Sequence, residues 1–96
     1  MKQHLTTQLK MAFEPSYLEV INESHDHSGG STESHFKIIV VSDKFIGLKL
    51  IERHRQINEL FKEELIHIHA LAMHTYTLEE WNKKNHKFPK SPECQG

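Results

Sequence analysis

Seven residues, His35–Val41 (His-Phe-Lys-Ile-Ile-Val-Val), limit the fold of this chain more than any other stretch. Successive side chains of a strand point to opposite faces. A run that is nearly continuous in apolar, β-branched residues therefore predicts a strand covered on both sides for much of its length, which belongs in the middle of a sheet. The run is far too short to cross a membrane. Nothing else in the chain approaches the about 20 apolar residues that a spanning helix needs. The N-terminus carries no leader pattern, so the expected compartment is the cytoplasm and no membrane partner is expected.

The other elements fall around this strand. Leu5, Leu9, Ala12 and Phe13 recur at helical spacing, and Pro15 closes that helix. Leu18 and Val20 alternate with Glu19 in a first strand over Tyr17–Glu23, and Ile21 makes its other face partly apolar. Ser24–Ser34 is a polar loop. After Ser42-Asp43 and a turn at Phe45-Ile46-Gly47, the stripe Leu50, His54, Ile57, Phe61 and Leu65 predicts a helix from about Leu50 to Ile66. Arg53 and Arg55 fall off that stripe.

The stretch His67–Thr77 reads as a third strand with three histidines, His67 and His69 sharing a face with Leu71 and Met73. Thr77-Leu78-Glu79-Glu80 is a capping box, with Tyr76 and Trp81 placed for a hydrophobic staple, so a last helix starts at Leu78. Beyond about Lys84 the chain holds Lys87, Pro89, Lys90 and Pro92 and few apolar residues. The expected organisation is one domain over residues 1–84 and a disordered tail over residues 85–96. The order is α-β-β-α-β-α, an α/β (α+β) chain with a hairpin, a helical crossover, and a three-stranded mixed sheet with helices packed on one face.

Chemistry is narrowed by what the chain has. Cys94 is the single cysteine, which excludes an internal disulfide and a metal site built from this chain's thiolates alone. A formal net charge of −1 leaves any nucleic-acid role to a local patch. Such a patch runs from Lys44 to Lys62, where Lys44, Lys49, Arg53, Arg55 and Lys62 face only Glu52 and Glu59. A turn at Gly47 ahead of a helix could hold a phosphate on backbone N–H groups; a solvated helix face is the plainer alternative. No serine elbow, P-loop or His-Glu-x-x-His is present, so an enzyme is not expected.

Nine histidines are the outlying count. His25-Asp26-His27 is either a metal-reaching loop or a solvated one. His67 and His69 are either a ligand pair or strand positions at the edge of the core. His54 fits a core or boundary histidine, and His74 a packed one.

Several segments in order resemble the BolA family: Leu18-Glu19-Val20 to Asn22-Glu23-Ser24, Glu33–Ser42, Phe45-Ile46-Gly47, Arg53-His54-Arg55, Glu63-Glu64-Leu65, the run His69-Ala70-Leu71-Ala72-Met73-His74-Thr75-Tyr76-Thr77, and Glu80-Trp81. The resemblance implies a class II KH-like fold and two activities. One is pairing with a monothiol glutaredoxin, sharing a 2Fe-2S cluster to which the glutaredoxin and glutathione give thiolates and this chain gives imidazole; no cofactor is expected in the isolated monomer. The ligand position of the family falls on His69, and the second position on His27 or His25. The other is DNA binding at promoters as a transcriptional regulator of morphology and stress genes, placed on Lys44, Lys49, Arg53 and Arg55. The alternative is a cluster-trafficking adaptor without direct DNA binding. Alone, the chain is expected as a monomer or weak homodimer. One departure is plain: the turn reads Gly47-Leu48-Lys49-Leu50 and lacks the Gly-x-x-Gly of KH loops.

Overall fold

The computed structural model describes residues 1–23 and 35–84. His35–Val41 forms β2, and every residue of it after His35 is buried. It is the middle strand of three. β1 (Tyr17–Asn22) pairs with it antiparallel, Leu18 opposite Val40 and Val20 opposite Ile38. β3 (Ala70–Tyr76) pairs with it in parallel, Leu71 opposite Phe36 and Met73 opposite Ile38.

The alternation of β2 divides the interior. Phe36, Ile38 and Val40 meet Leu5, Leu9 and Phe13 of α1 (Lys2–Phe13), Ile57 of α2 (Leu50–Leu60), Phe45 and Phe61 in the main core. Ile39 and Val41 point the other way and pack with Trp81 of α3 (Leu78–Lys83), joined by Ile21 and Tyr76. The one-face packing expected of the helices thus holds for α1 and α2. α3 is placed on the opposite face by its tryptophan, because the cap at Thr77 turns the chain as soon as β3 ends.

Two junctions fix the frame. α1 stops at Glu14, which takes φ 46° and returns its N–H to the Lys10 carbonyl. The Phe13 carbonyl, left without a helical partner, accepts from the buried Ser42 hydroxyl at 2.7 Å. The same hydroxyl accepts from the Lys44 N–H at 3.0 Å, which starts the turn toward Gly47. Gly47 sits at φ 84°, with open space where a Cβ would be, so backbone strain rather than crowding selects glycine there.

Three expectations are corrected. α2 ends at Leu60, not Ile66; Phe61 leaves helical geometry and residues Glu64–Ile66 make a separate 3-10 turn. The chain tightens there so that Phe61 and Ile68 both reach the core. The inward face of α2 is Arg53 and Ile57, with Phe61 buried just past its end, while Leu50 is 57% exposed as the first helical residue. β3 begins only at Ala70, so His67 and His69 do not share a strand face; Ile68 between them is buried and His67 closes the 3-10 turn.

Candidate nucleic-acid interface and histidine sites

The basic residues separate by role. Lys44 is exposed on the turn, its Nζ 3.7 Å from Glu14. Lys49 is the N-cap residue of α2, and its N–H donates to the Glu52 carboxylate at 2.8 Å. The next amides, of Leu50 and Ile51, open the helix without intrahelical acceptors. Arg55 is exposed one helical step outward from the core.

Arg53 is buried, and its donors are engaged. Nε donates to the Leu48 carbonyl at 3.0 Å and Nη1 to the Thr75 carbonyl at 3.2 Å. Nη1 and Nη2 grip the two oxygens of Glu80 at 2.8 and 3.0 Å, the two-pronged geometry that favours arginine over lysine. The guanidinium also lies over the Phe45 ring, 5.7 Å from its centre. It holds the Glu80 carboxyl below the ordinary carboxylate range, with help from the Thr77 N–H. The Thr77–Glu80 capping box read in the sequence is therefore also half of a clamp joining α2, β3 and α3. Placed on the exposed helix face by its spacing, Arg53 is instead a strut beneath the basic surface.

Above that strut lies an open cleft of about 630 Å³ between the start of α2 and the end of α3. Leu48, Leu50 and Tyr76 give it apolar lining, and Lys49, Lys83 and Lys84 its charge. Lys83 and Lys84 were not among the residues singled out in the sequence. Their signal was there, a pair of cations closing the last helix, but 34 residues separate Lys49 from Lys83 and only the fold brings them together.

Of the histidines, His69 is exposed, immediately ahead of β3. Its ring stacks on that of His35, the first residue of β2, with centres 4.9 Å apart and planes 27° from parallel. His35 was passed over in the sequence as a strand residue; the parallel pairing of His35 with Ala70 is what sets the two rings together. His25 and His27 lie outside the described residues, as does the tail over residues 85–96. Among the described residues, no three histidine, cysteine or acidic side chains gather closely enough to hold a metal ion.

His54 and His74 differ from His69. The Nε2 atom of each is buried with no hydrogen-bond partner among the described residues. Burial, then Arg53, lowers the pKa of His54. Burial, then Lys37 and His54, lowers that of His74. Both are held neutral. His54 is carried by α2, whereas His74, paired with Ile39, lies on the sheet face that α3 covers.

A family model described as BolA-like protein matches residues 9–80. The DNA-binding transcriptional regulator BolA of Vibrio cholerae is 51% identical over 86 residues, 88% of this chain and 81% of that protein. The Escherichia coli K12 protein of the same name is 42% identical, over 99% of this chain and 92% of its own length. The solution structure of the mouse BolA1 protein superposes with a TM-score of 0.79 at 37% identity, covering 99% of this chain and 78% of that one.

Proposed function

The chain belongs to the BolA-like family, and from that membership we propose that it binds DNA as a regulatory protein, through the cleft that carries Lys49, Lys83 and Lys84, with Lys44 on the turn that precedes α2. The observation that carries this reading is the cleft. Its lysines come from the start of α2 and the end of α3, and among the described residues the only carboxylate lining it, Glu80, is committed to Arg53. Free positive charge is what phosphate binding requires, because neutralised phosphates release counterions. The bacterial relatives that match nearly the whole chain carry the name of DNA-binding regulators, which supports the same reading. Titration of a labelled promoter fragment at rising salt tests it. Binding should weaken linearly on a log–log plot, and an absence of binding at low salt would reject it.

A second reading is favoured by His69. An exposed imidazole, its ring aligned by a stacked neighbour, suits a ligand offered to a group held mainly by another protein. We infer that His69, completed by His27 or His25, gives imidazole ligation to a 2Fe-2S cluster shared with a monothiol glutaredoxin and glutathione. The described residues bring two imidazoles together at most, so thiolates would have to come from the partner. Imidazole in place of thiolate raises a cluster's potential and makes the ligand easier to protonate and release. Co-purification with a monothiol glutaredoxin, with visible circular dichroism for wild type and His69→Ala, is the test. An unchanged spectrum in the variant removes His69 from the ligand set. A cluster signal without any DNA binding would favour the adaptor alternative.

A further inference from the structure

We propose that the outer edge of β3 is the docking surface for a second copy of this chain, the two β3 strands pairing antiparallel about a two-fold axis at Ala72. The proposal goes beyond both readings above and depends on neither.

Two hydrogen bonds fix which way the backbone of β3 faces. The Tyr76 carbonyl accepts from the Ser42 N–H at 2.9 Å, so Tyr76, His74, Ala72 and Ala70 turn their peptide groups toward β2. The residues between them turn theirs outward, as the Thr75 carbonyl does in accepting from Arg53. The N–H and C=O groups of Leu71 and Met73 therefore line the open edge, and nothing among the described residues bonds them.

Natural edge strands are guarded by charge, proline or a bulge. β1, at the other edge of the sheet, carries Glu19. β3 reads Ala-Leu-Ala-Met-His-Thr-Tyr, with no acid, lysine, arginine or proline, and pairs with β2 without a bulge. Ala70 and Ala72 are exposed on the sheet face opposite α1 and α2, so no bulky side chain there keeps a neighbouring strand away.

This edge is self-complementary in one register. With Ala72 opposite Ala72 of the second copy, Leu71 falls opposite Met73, and their outward peptide groups point at each other. Each free N–H and C=O of the two residues then gains a partner in both copies. Leu71 meets Met73 on the core-side face, apolar against apolar, and alanine meets alanine on the other. Moving the axis to Met73 would set Leu71 against Thr75, whose carbonyl Arg53 already occupies.

Charge complementarity extends the pairing beyond the strands. An antiparallel partner runs the residues ahead of its Ala70 along the end of β3 and into the cleft between α2 and α3. Those residues bring the exposed Glu63 and the 77% exposed Ile66 to Lys49, Lys83 and Lys84, set around Leu48 and Leu50. Carboxylate meets ammonium and Ile66 leaves water, at both ends of the interface by symmetry. A second copy and DNA thus compete for the same lysines.

Sedimentation equilibrium and cysteine trapping of the full chain test the proposal. Wild type should dimerise weakly, with a Kd on the order of 0.1 mM, as a small interface predicts. Ala72→Lys puts like charges together at the axis and should weaken dimerisation about tenfold or more. Glu63→Lys should weaken it about threefold. For trapping, Cys94→Ser removes the native thiol. In that background Ala72→Cys meets its own copy in a non-hydrogen-bonded pair, whose Cα spacing of about 4.5 Å suits a disulfide. Ala70→Cys, exposed on the same face but opposite His74, is the control. With oxidised glutathione and protein at about 0.1 mM, Ala72→Cys should form covalent dimer about tenfold faster than Ala70→Cys. All these substitutions are at exposed positions or in the tail, and circular dichroism checks the fold. A wild type still monomeric at about 1 mM, equal trapping at the two positions, or a Kd unmoved by both Ala72→Lys and Glu63→Lys overturns the proposal.

Discussion

Removing the carboxylate of Glu80 should unlock α3 from the rest of the molecule. In Glu80→Ala the Arg53 guanidinium, 7% exposed, keeps only the Leu48 and Thr75 carbonyls, and its two-pronged partner is gone. Breaking a fully buried pair from one side costs about 3–5 kcal/mol, but the Glu80 side chain is 44% exposed, and water reaching the pair reduces this to about 1.5–2.5 kcal/mol. Loss of the acceptor for the Thr77 N–H adds about 0.5–1 kcal/mol. The total, about 2–3.5 kcal/mol, corresponds to a fall in Tm of roughly 10–25 °C for a domain of this size. Glu80→Gln separates the two contributions, because glutamine still accepts from the Thr77 N–H and keeps one neutral bond to Arg53. It should lie between wild type and Glu80→Ala. Urea unfolding followed by fluorescence is direct, since Trp81 is the single tryptophan, adjacent in sequence and 4% exposed. The gap between wild type and Glu80→Gln should also close in acid. The folded pKa of Glu80 is depressed, so its contribution is present above the ordinary value of 4.5 and is lost as pH falls from there through the folded pKa. Two variants that unfold within about 0.5 kcal/mol of wild type would refute the clamp.

Arg53→Ala should lose stability comparably to Glu80→Ala, and Arg53→Lys should not restore it, because an ammonium cannot reach two carbonyls and both carboxylate oxygens. Loss of DNA binding in Arg53→Ala would then track unfolding, which melting at the assay temperature checks. Gly47→Ala should cost about 1–2 kcal/mol through its positive φ alone, without change in the circular dichroism of the folded state. Stability should fall as pH drops below 6.5, because His54 and His74 bind protons more weakly folded than unfolded. Their stabilising share is complete above 6.5 and lost toward their folded pKa values. A His54→Leu, His74→Leu double variant should flatten denaturation midpoints between pH 7 and 5.5, and an unchanged pH slope would contradict the assignment.

The parts of the fold legible in the sequence are those whose chemistry is local. Ile38–Val41 could only be a strand covered on both faces, and Thr77 with Glu80 could cap a helix without knowledge of anything distant. Arg53 shows where this stops. Helical spacing placed it off the apolar stripe, and only contacts with Leu48, Thr75 and a glutamate 27 residues away make its burial tolerable. The end of α2 was missed for a related reason. No Gly or Pro marks Leu60, and the apolar spacing continues through Leu65, but the core needs Phe61 and Ile68 more than it needs another helical turn. At the histidines, two-residue alternation was carried back past Ala70 into a 3-10 turn. The basic stretch from Lys44 was visible, whereas its completion by Lys83 and Lys84 depends on where α3 folds back.

The two proposed sites occupy opposite ends of one strand, which limits how they can communicate. His69 precedes Ala70 at the start of β3, and Tyr76, at its end, lines the cleft. Seven steps of about 3.3 Å separate them, so the sites stand roughly 23 Å apart along a strand fixed by its parallel pairing with β2. That is more than twice the Debye length of about 8 Å at physiological ionic strength, so charge brought to His69 by a partner is screened before it reaches the lysines. Any coupling between cluster ligation and DNA binding must then come from the bulk of the partner reaching the cleft, or from movement of α3 against α2. The second route passes through Arg53 and Glu80. Weakening that clamp with Glu80→Gln should therefore alter a mechanical coupling and leave a steric one unchanged, so DNA titrations with and without the glutaredoxin, for both proteins, distinguish the two.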